Sequence, residues 1–275
     1  MNRTYAHGDY QHVMVQEKKR RDLAVASVRD RVVHRYVYDQ LVTIFDHSFD
    51  PDVWSCRTSK GLHKALNRTQ LLLCKYPLAY IWRSDITKFF DHIRNDALLA
   101  AIARKVNKDS GLFWLCRQII ASYDTCPATG IPIGNLTSQI FSNIYLNEFD
   151  RYVRHTLKPL SYLRYGDDFV LFCSTRRSAH QMRADSEKYL ASRLGLSLNP
   201  KNDVVVPVSG GLHFLGHVIT KEFVVTDRHT SRSALTKVSY HNLASYRALN
   251  LAKNVKKQLN WKVIDEISEI IDTTP

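Results

Sequence analysis

The sequence offers little sulfur chemistry. Its five cysteines, Cys56, Cys74, Cys116, Cys126 and Cys173, are odd in number, and no two form a CxxC pair. Neither a disulfide framework nor a zinc module is indicated as an organising device. His213 and His217 share a strand-like run without a third ligand near them, which is poor material for a metal site. No stretch approaches the ~20 apolar residues that cross a bilayer. The opening residues, MNRTYAHGDYQH, lack the apolar run of a signal peptide. No membrane partner is expected, and a cytoplasmic protein is the default expectation. Internal repeats, low-complexity tracts and clear linkers are also missing, which sets aside solenoids and disordered tails.

Acid is scarce too. Lys and Arg number 39 against 26 Asp and Glu, a formal net charge of +13. Glu17 to Arg35 carries Lys18, Lys19, Arg20, Arg21, Arg29, Arg31 and Arg35, and Arg228 to Lys262 holds eight Lys or Arg with no acid. Two readings stand: solvated faces, or a groove that neutralises the phosphates of a nucleic acid. What remains is ordinary for a globular chain: 275 residues, 44% apolar and 24% charged.

The apolar spacing predicts helices over Val28–Phe45, Lys60–Leu73, Asn95–Val106, Ser110–Tyr123, Ser138–Leu157, Ala179–Leu194, Tyr240–Leu259 and Trp261–Ile271. Ser110 is placed to cap its helix, and Gly195 to close the one before it. Strands are expected over Leu78–Ile86, at Tyr162–Tyr165 with Phe169–Cys173, and at Leu212–Ile219 with Phe223–Thr226, the last four as two hairpins. The class is α+β, a mostly antiparallel sheet backed by helices.

The chemistry lies in the acids. Tyr165-Gly-Asp-Asp168 sits between two apolar strands. Adjacent carboxylates at a tight turn repel, and a cation offsets the repulsion; hard oxygens select Mg²⁺ or Mn²⁺. A plain Asp-rich turn is the bland alternative, yet this tetrapeptide is expected only roughly once in several hundred random chains of this length. Asp85 ends the strand before Ile86-Thr-Lys-Phe-Phe-Asp91. Its bland reading is a helix N-cap; its functional one completes a three-carboxylate site able to hold two ions. Asp91 reads as structural.

These residues, taken with others, resemble a known family. Asp85-Ile-Thr-Lys-Phe-Phe-Asp91, Gly130-Ile-Pro-Ile-Gly-Asn-Leu-Thr-Ser-Gln139, Tyr165-Gly-Asp-Asp168, Gly195-Leu-Ser-Leu-Asn-Pro-Lys201 and Phe214-Leu-Gly216 are similar, in order, to the palm motifs of reverse transcriptases. Asp30-Arg-Val-Val-His34 and Cys56-Arg-Thr-Ser-Lys-Gly-Leu-His63 resemble fingers motifs of bacterial members. The resemblance covers roughly residues 10 to 225 and implies a right-hand polymerase fold. Fingers and palm would span 1–227, with the palm core at about 76–227, and a short helical thumb would span 228–275. It implies Asp85, Asp167 and Asp168 as catalytic metal ligands with the Ile86 carbonyl, holding two Mg²⁺ ions (or Mn²⁺).

Phe90 then matches the steric gate beneath the incoming sugar; its alternative is a core ring beside Phe89. Arg57 and Lys60, and more weakly Arg68, are candidates to clamp the triphosphate. Ile133, Gly134 and Gln139 fall in the nucleotide-binding motif, where glycine allows close backbone approach. Lys201 is a candidate proton donor to pyrophosphate, and reads equally as a solvated turn lysine. Phe214, Leu215 and Gly216 resemble the primer grip. The implied partners are an RNA template, a DNA or RNA primer and dNTPs.

The Ile133-Gly-Asn-Leu-Thr-Ser-Gln139 form is similar to enzymes of diversity-generating retroelements, which implies error-prone copying and a small basic accessory protein. Those relatives carry methionine where Gly166 stands. Only 48 residues follow Asp227, short for a thumb and too few for a ribonuclease H or maturase domain. Phage-defence and group II intron-like enzymes, and a catalytically silent RNA-binding fold, are the alternatives.

Overall fold

The computed structural model describes residues 3–16, 20–239, 241–247, 249, 251 and 253–273. Lys18 and Lys19 of the first basic stretch, and Tyr240, lie outside the described residues, as do the side chains of Arg20 and Arg21. The chain divides into two compact units. One comprises Met1–Gly61 with Trp82–Val205, the other Leu62–Ile81 with Val206–Pro275.

The first unit begins with a hairpin that the residue pattern did not announce, β1 (Gln11–Gln16) against β2 (Arg20–Val25). Each strand carries its apolar residues as one consecutive run, Val13-Met-Val15 and Leu23-Ala-Val25, so the apolar alternation of a half-buried strand is missing. Ser27 then caps α1 (Val28–Phe45) by accepting from the Asp30 amide. A 3₁₀ turn at Phe89–His92 follows β3 (Tyr80–Ser84), and α3 (Asn95–Ala103) comes next. Ser110 caps α4 (Gly111–Ala121) through the Phe113 amide, as its position predicted.

The long helix α5 (Leu136–Tyr152) starts two residues earlier than expected and ends in a wide i→i+5 turn over Val153–Leu157, where Lys158 N donates to Val153 O at 2.8 Å. α6 (Arg176–Tyr189) ends the same way over Leu190–Leu194, closed by Gly195 at φ +64°. Between them β4 (Ser161–Tyr165) pairs antiparallel with β5 (Asp168–Cys173). The sheet order is β4-β5-β3-β6, where β6 is Val204–Pro207. The unit boundary falls within β3 and β6.

Aromatic edges fill the interior beneath this sheet. Phe169 stands 5.3 Å from Trp82 and 5.2 Å from Phe149 between ring centroids, geometries that aromatic quadrupoles favour.

The second unit carries α2 (Leu62–Lys75) and a three-stranded antiparallel sheet of β7 (Leu212–Phe214), β8 (His217–Ile219) and β9 (Val224–Thr226). The run Leu212–Ile219 is thus a hairpin rather than one strand. Leu215 and Gly216, at φ +51° and +72°, make its two-residue turn. Gln70 of α2 donates to the carbonyls of Thr220 and Lys221.

Three helices follow: α7 (Arg228–Lys237), α8 (Leu243–Arg247) and α9 (Lys253–Thr273). This corrects the expected pair at Tyr240–Leu259 and Trp261–Ile271. α9 runs straight through the Asn260-Trp261 boundary, because neither residue breaks a helix. Asp227 caps α7 through the Thr230 amide. Ala234, Leu251 and Leu259 form the buried centre of these helices. Among the described residues no helix is long and apolar enough to cross a membrane.

Candidate active site

The acidic turn is built from beneath. Tyr165 pairs with Asp168, leaving Gly166 and Asp167 as the two turn residues, with Gly166 at φ +66°. Glycine adopts that left-handed backbone without steric cost. The Gly166 amide donates to Ser55 Oγ at 2.8 Å, and its carbonyl accepts from Arg164 Nη1 at 2.8 Å. Arg164 is wholly buried. Its Nε and Nη2 each reach one oxygen of Asp150 at 2.7 Å, and Nη1 also donates to Asn143 Oδ1 at 3.1 Å. Asp150 accepts further from Tyr162 Oη at 2.6 Å. A fork-to-carboxylate pair of this kind is geometrically demanding, so it fixes the turn's position and direction.

Asp85 follows β3 directly. Its Oδ2 accepts from Asn202 Nδ2 at 2.9 Å and Asn199 Nδ2 at 3.2 Å. Its Oδ1 is buried without a hydrogen-bond partner. Asn199 N donates to Asp85 O and Thr87 N to Ser197 O, both at 2.9 Å. These two bonds flank the Ile86–Leu198 bridge and do not use the Ile86 carbonyl.

Asp168 is close enough to Asp85 to feel its charge. Burial pushes the Asp168 carboxyl above its ordinary range, Arg83 opposes that, and Asp85 adds to it. Arg83 Nη2 lies 3.3 Å from Asp168 Oδ1. Among the described residues no three His, Cys, Asp or Glu side chains form a ready-made cluster for one ion. The donor chemistry nevertheless suits a hard cation: a buried carboxylate oxygen lacks a partner, and a second carboxylate is destabilised by the first. Asp85, Asp168, Asp167 and the Ile86 carbonyl are the groups that would hold such ions.

The remaining candidates are placed as follows. Phe89 is buried and Phe90 half-buried, their rings edge to face at 5.4 Å. Lys88, before them, takes φ +43° and turns the chain. Ile133 is half-buried, and Gly134 (φ +106°) and Gln139 are exposed. Lys201 is exposed, its amide donating to Asn199 Oδ1 at 3.2 Å.

Arg57 spends its guanidinium inside its own loop, on the Asp46 carboxylate and the carbonyls of Asp46, Asp50 and Val53. Lys60 Nζ donates to Pro51 O and lies 4.1 Å from the Trp54 ring centroid. Phe214 is buried in the second unit, where Asp227 N donates to Gly216 O at 2.9 Å.

Sequence reasoning missed four participants. Arg83 is two before Asp85, so strand alternation puts both on one face, a legible signal. Asn199 lay inside a quoted motif and Asn202 just beyond it. Arg164 gave no local sign, because its partner Asp150 belongs to another element.

Comparison with known proteins agrees with the family resemblance. Residues 11–219 match the family model described as reverse transcriptase (RNA-dependent DNA polymerase). Protein YkfC of Escherichia coli is 25% identical over 244 residues, covering 74% of this chain and 64% of YkfC. The putative COX1/OXI3 intron 2 protein of Saccharomyces cerevisiae is 20% identical, over 87% of this chain and 38% of its own. A telomerase of Candida albicans, solved with a fragment of telomeric RNA, superposes over 98% of this chain and 56% of its own; the TM-score is 0.63 and the identity 11%. The chain spans less than two thirds of each of these three proteins. The telomerase likeness shows the expected α+β right-hand polymerase fold, and the match over most of the length makes this chain a member of the reverse transcriptase family.

Proposed function

We propose that the chain is an RNA-directed DNA polymerase that extends a primer from dNTPs along an RNA template, with its site at Asp85, Asp167 and Asp168. The observation that carries this reading is the pairing of Asp85, one oxygen buried and unpartnered, with an Asp168 carboxyl raised by burial and by that neighbour. Bound divalent cations supply charge stabilisation for the attacking 3′-oxygen and the leaving pyrophosphate. The protein's own part is positional. Asn199 and Asn202 orient Asp85, and Arg164 and Ser55 hold the turn that presents Asp167 and Asp168. Phe90 faces the sugar, Ile133 and Gly134 meet the nucleotide, and residues 228–275 serve as thumb.

Purified protein given primer, RNA template, dNTPs and Mg²⁺ should extend the primer. Asp167→Ala should reduce extension below about a thousandth of the parent, a scale set by losing an electrostatic contact made in the transition state. Parental extension by that variant sinks the assignment.

The finer reading is error-prone copying within a diversity-generating retroelement, with a small basic accessory protein, and it rests on Ile133 and the Ser138-Gln139 form of its motif. The yeast intron protein among the relatives favours an intron-encoded role as the second reading.

A further inference from the structure

Asn135 occupies the position before α5 where an asparagine ordinarily accepts a hydrogen bond from its own helix. It makes no such bond. Its side chain is 5% exposed and is turned away from α5, toward the strand β2 and the residue chain that leads into α1. Nδ2 donates to Ala24 O at 2.6 Å, and Oδ1 accepts from Ala26 N at 3.3 Å. Two residues earlier, Ile133 O accepts from Ala24 N at 3.1 Å. Between them, a Cβ built on Gly134 would stand 3.7 Å from the Leu23 side chain, so the loop's backbone lies directly on β2. The amide thus continues, by side chain, a ladder that the Ile133 carbonyl opens by backbone.

The hairpin needs such an anchor. β1 and β2 form a sheet of two strands, and an isolated pair is marginally stable at best in water. Ala24 and Ala26 are buried, at 1% and 2% exposure, at the end of β2 that reaches Asn135. The other end of β2 begins within the basic sequence Lys18-Lys-Arg-Arg21.

We propose that Asn135 is a positioning residue: it locks the β1–β2 hairpin to the Ile133–Gly134 loop, so that hairpin and nucleotide loop behave as one body. This rests on the polymerase reading for its effect on nucleotide use, but not for the lock itself. A helix-capping asparagine predicts loss of α5 stability on truncation. A lock predicts loss of the hairpin's order and of nucleotide affinity, with chemistry intact.

The test compares the parent, Asn135→Ala and Asn135→Asp by hydrogen exchange over residues 11–26 and by steady-state dNTP kinetics. Asn135→Ala should speed exchange of Leu23 to Ala26 and raise KM for dNTP by about tenfold, with kcat within about twofold, the pattern of lost binding rather than lost transition-state contact. Affinity for a primer–template duplex should stay parental. Asn135→Asp keeps the acceptor for Ala26 N and loses the donor to Ala24 O, so it should show the same pattern at smaller amplitude. It also serves as the readout if the alanine variant does not fold. Parental exchange in the hairpin overturns the lock, whether or not the chain polymerises. A fall in kcat and duplex affinity together with faster exchange throughout α5 overturns it in favour of a merely structural cap. A parent that extends no primer while Asn135→Ala still loosens the hairpin overturns the polymerase reading and leaves the lock standing.

Discussion

On the proposed polymerase reading, Phe90 and Ile133 set what the site would accept. Phe90 is the half-buried ring of an aromatic pair whose other member, Phe89, is core. A bulky ring beneath the sugar excludes a 2′-hydroxyl by clash. Phe90→Ala should therefore lower the preference for dNTP over rNTP by at least about tenfold, ~1.4 kcal/mol in barrier. Competition between the two nucleotides on one template measures this, and an unchanged ratio moves the gate elsewhere. Ile133 offers shape alone, whereas an amide at its place can donate and accept hydrogen bonds. Sites that discriminate through hydrogen bonds reject wrong partners better than apolar walls do. Ile133→Gln should cut misincorporation by about tenfold, for ~1.4 kcal/mol of added discrimination. Sequencing many cDNAs copied from one RNA decides the matter. A parent error spectrum already low and flat removes the fidelity reading and its support for the retroelement subgroup.

At the scale of elements, the turn between β4 and β5 is only as fixed as the buried pair under it. Arg164→Met would leave the Asp150 carboxylate, 1% exposed, without its fork of two 2.7 Å bonds. Breaking a buried pair by removing one partner costs about 3–5 kcal/mol. Denaturant unfolding should show a loss of that size, and a change under about 1 kcal/mol would mean the network does not hold the turn.

This pair also marks where reading the sequence stops. Helix α1 was legible because Val33, Val37, Leu41 and Phe45 repeat at helical spacing. The β4–β5 hairpin was legible because two apolar runs flank Gly-Asp-Asp. The Arg164–Asp150 pair was not, since its members are 14 positions apart on different elements. The β1–β2 hairpin was not, because its apolar residues run consecutively instead of alternating. Arg57 reads as an available cation, and only the fold shows its guanidinium committed to Asp46.

At the scale of the whole molecule, a buried histidine away from the acidic turn predicts a pH response in stability. His34 is 1% exposed; its Nδ1 lies 2.6 Å from Thr137 Oγ1 and its Nε2 lies 2.9 Å from His7 Nε2. Burial, and then the charge of His7, push its pKa down from 6.5 to about 4, against a smaller upward pull from Asp30. Between those values the unfolded chain binds the proton that the folded chain refuses, so stability rises with pH across the window. Falling pH should therefore cost up to about 3 kcal/mol, beginning near 6.5 and complete below about 4. Thermal unfolding from pH 7 to 4 tests this. The parent's Tm should fall more steeply than that of His34→Gln, and parallel curves would assign the acid sensitivity to other groups.

The wide turns that end α5 and α6 have a consequence for chain length. Each winds one residue more into its last turn than an α-helix does. Each stands just ahead of a segment that carries the site. After Val153–Leu157 come β4 and the turn with Asp167; after Leu190–Leu194 come Asn199 and Asn202. A supernumerary residue is thereby absorbed inside the helix end. The helix face before it keeps its phase, and the strand or loop after it keeps its register. These two helix ends are where this chain could gain or shed a residue while the carboxylates stay in place.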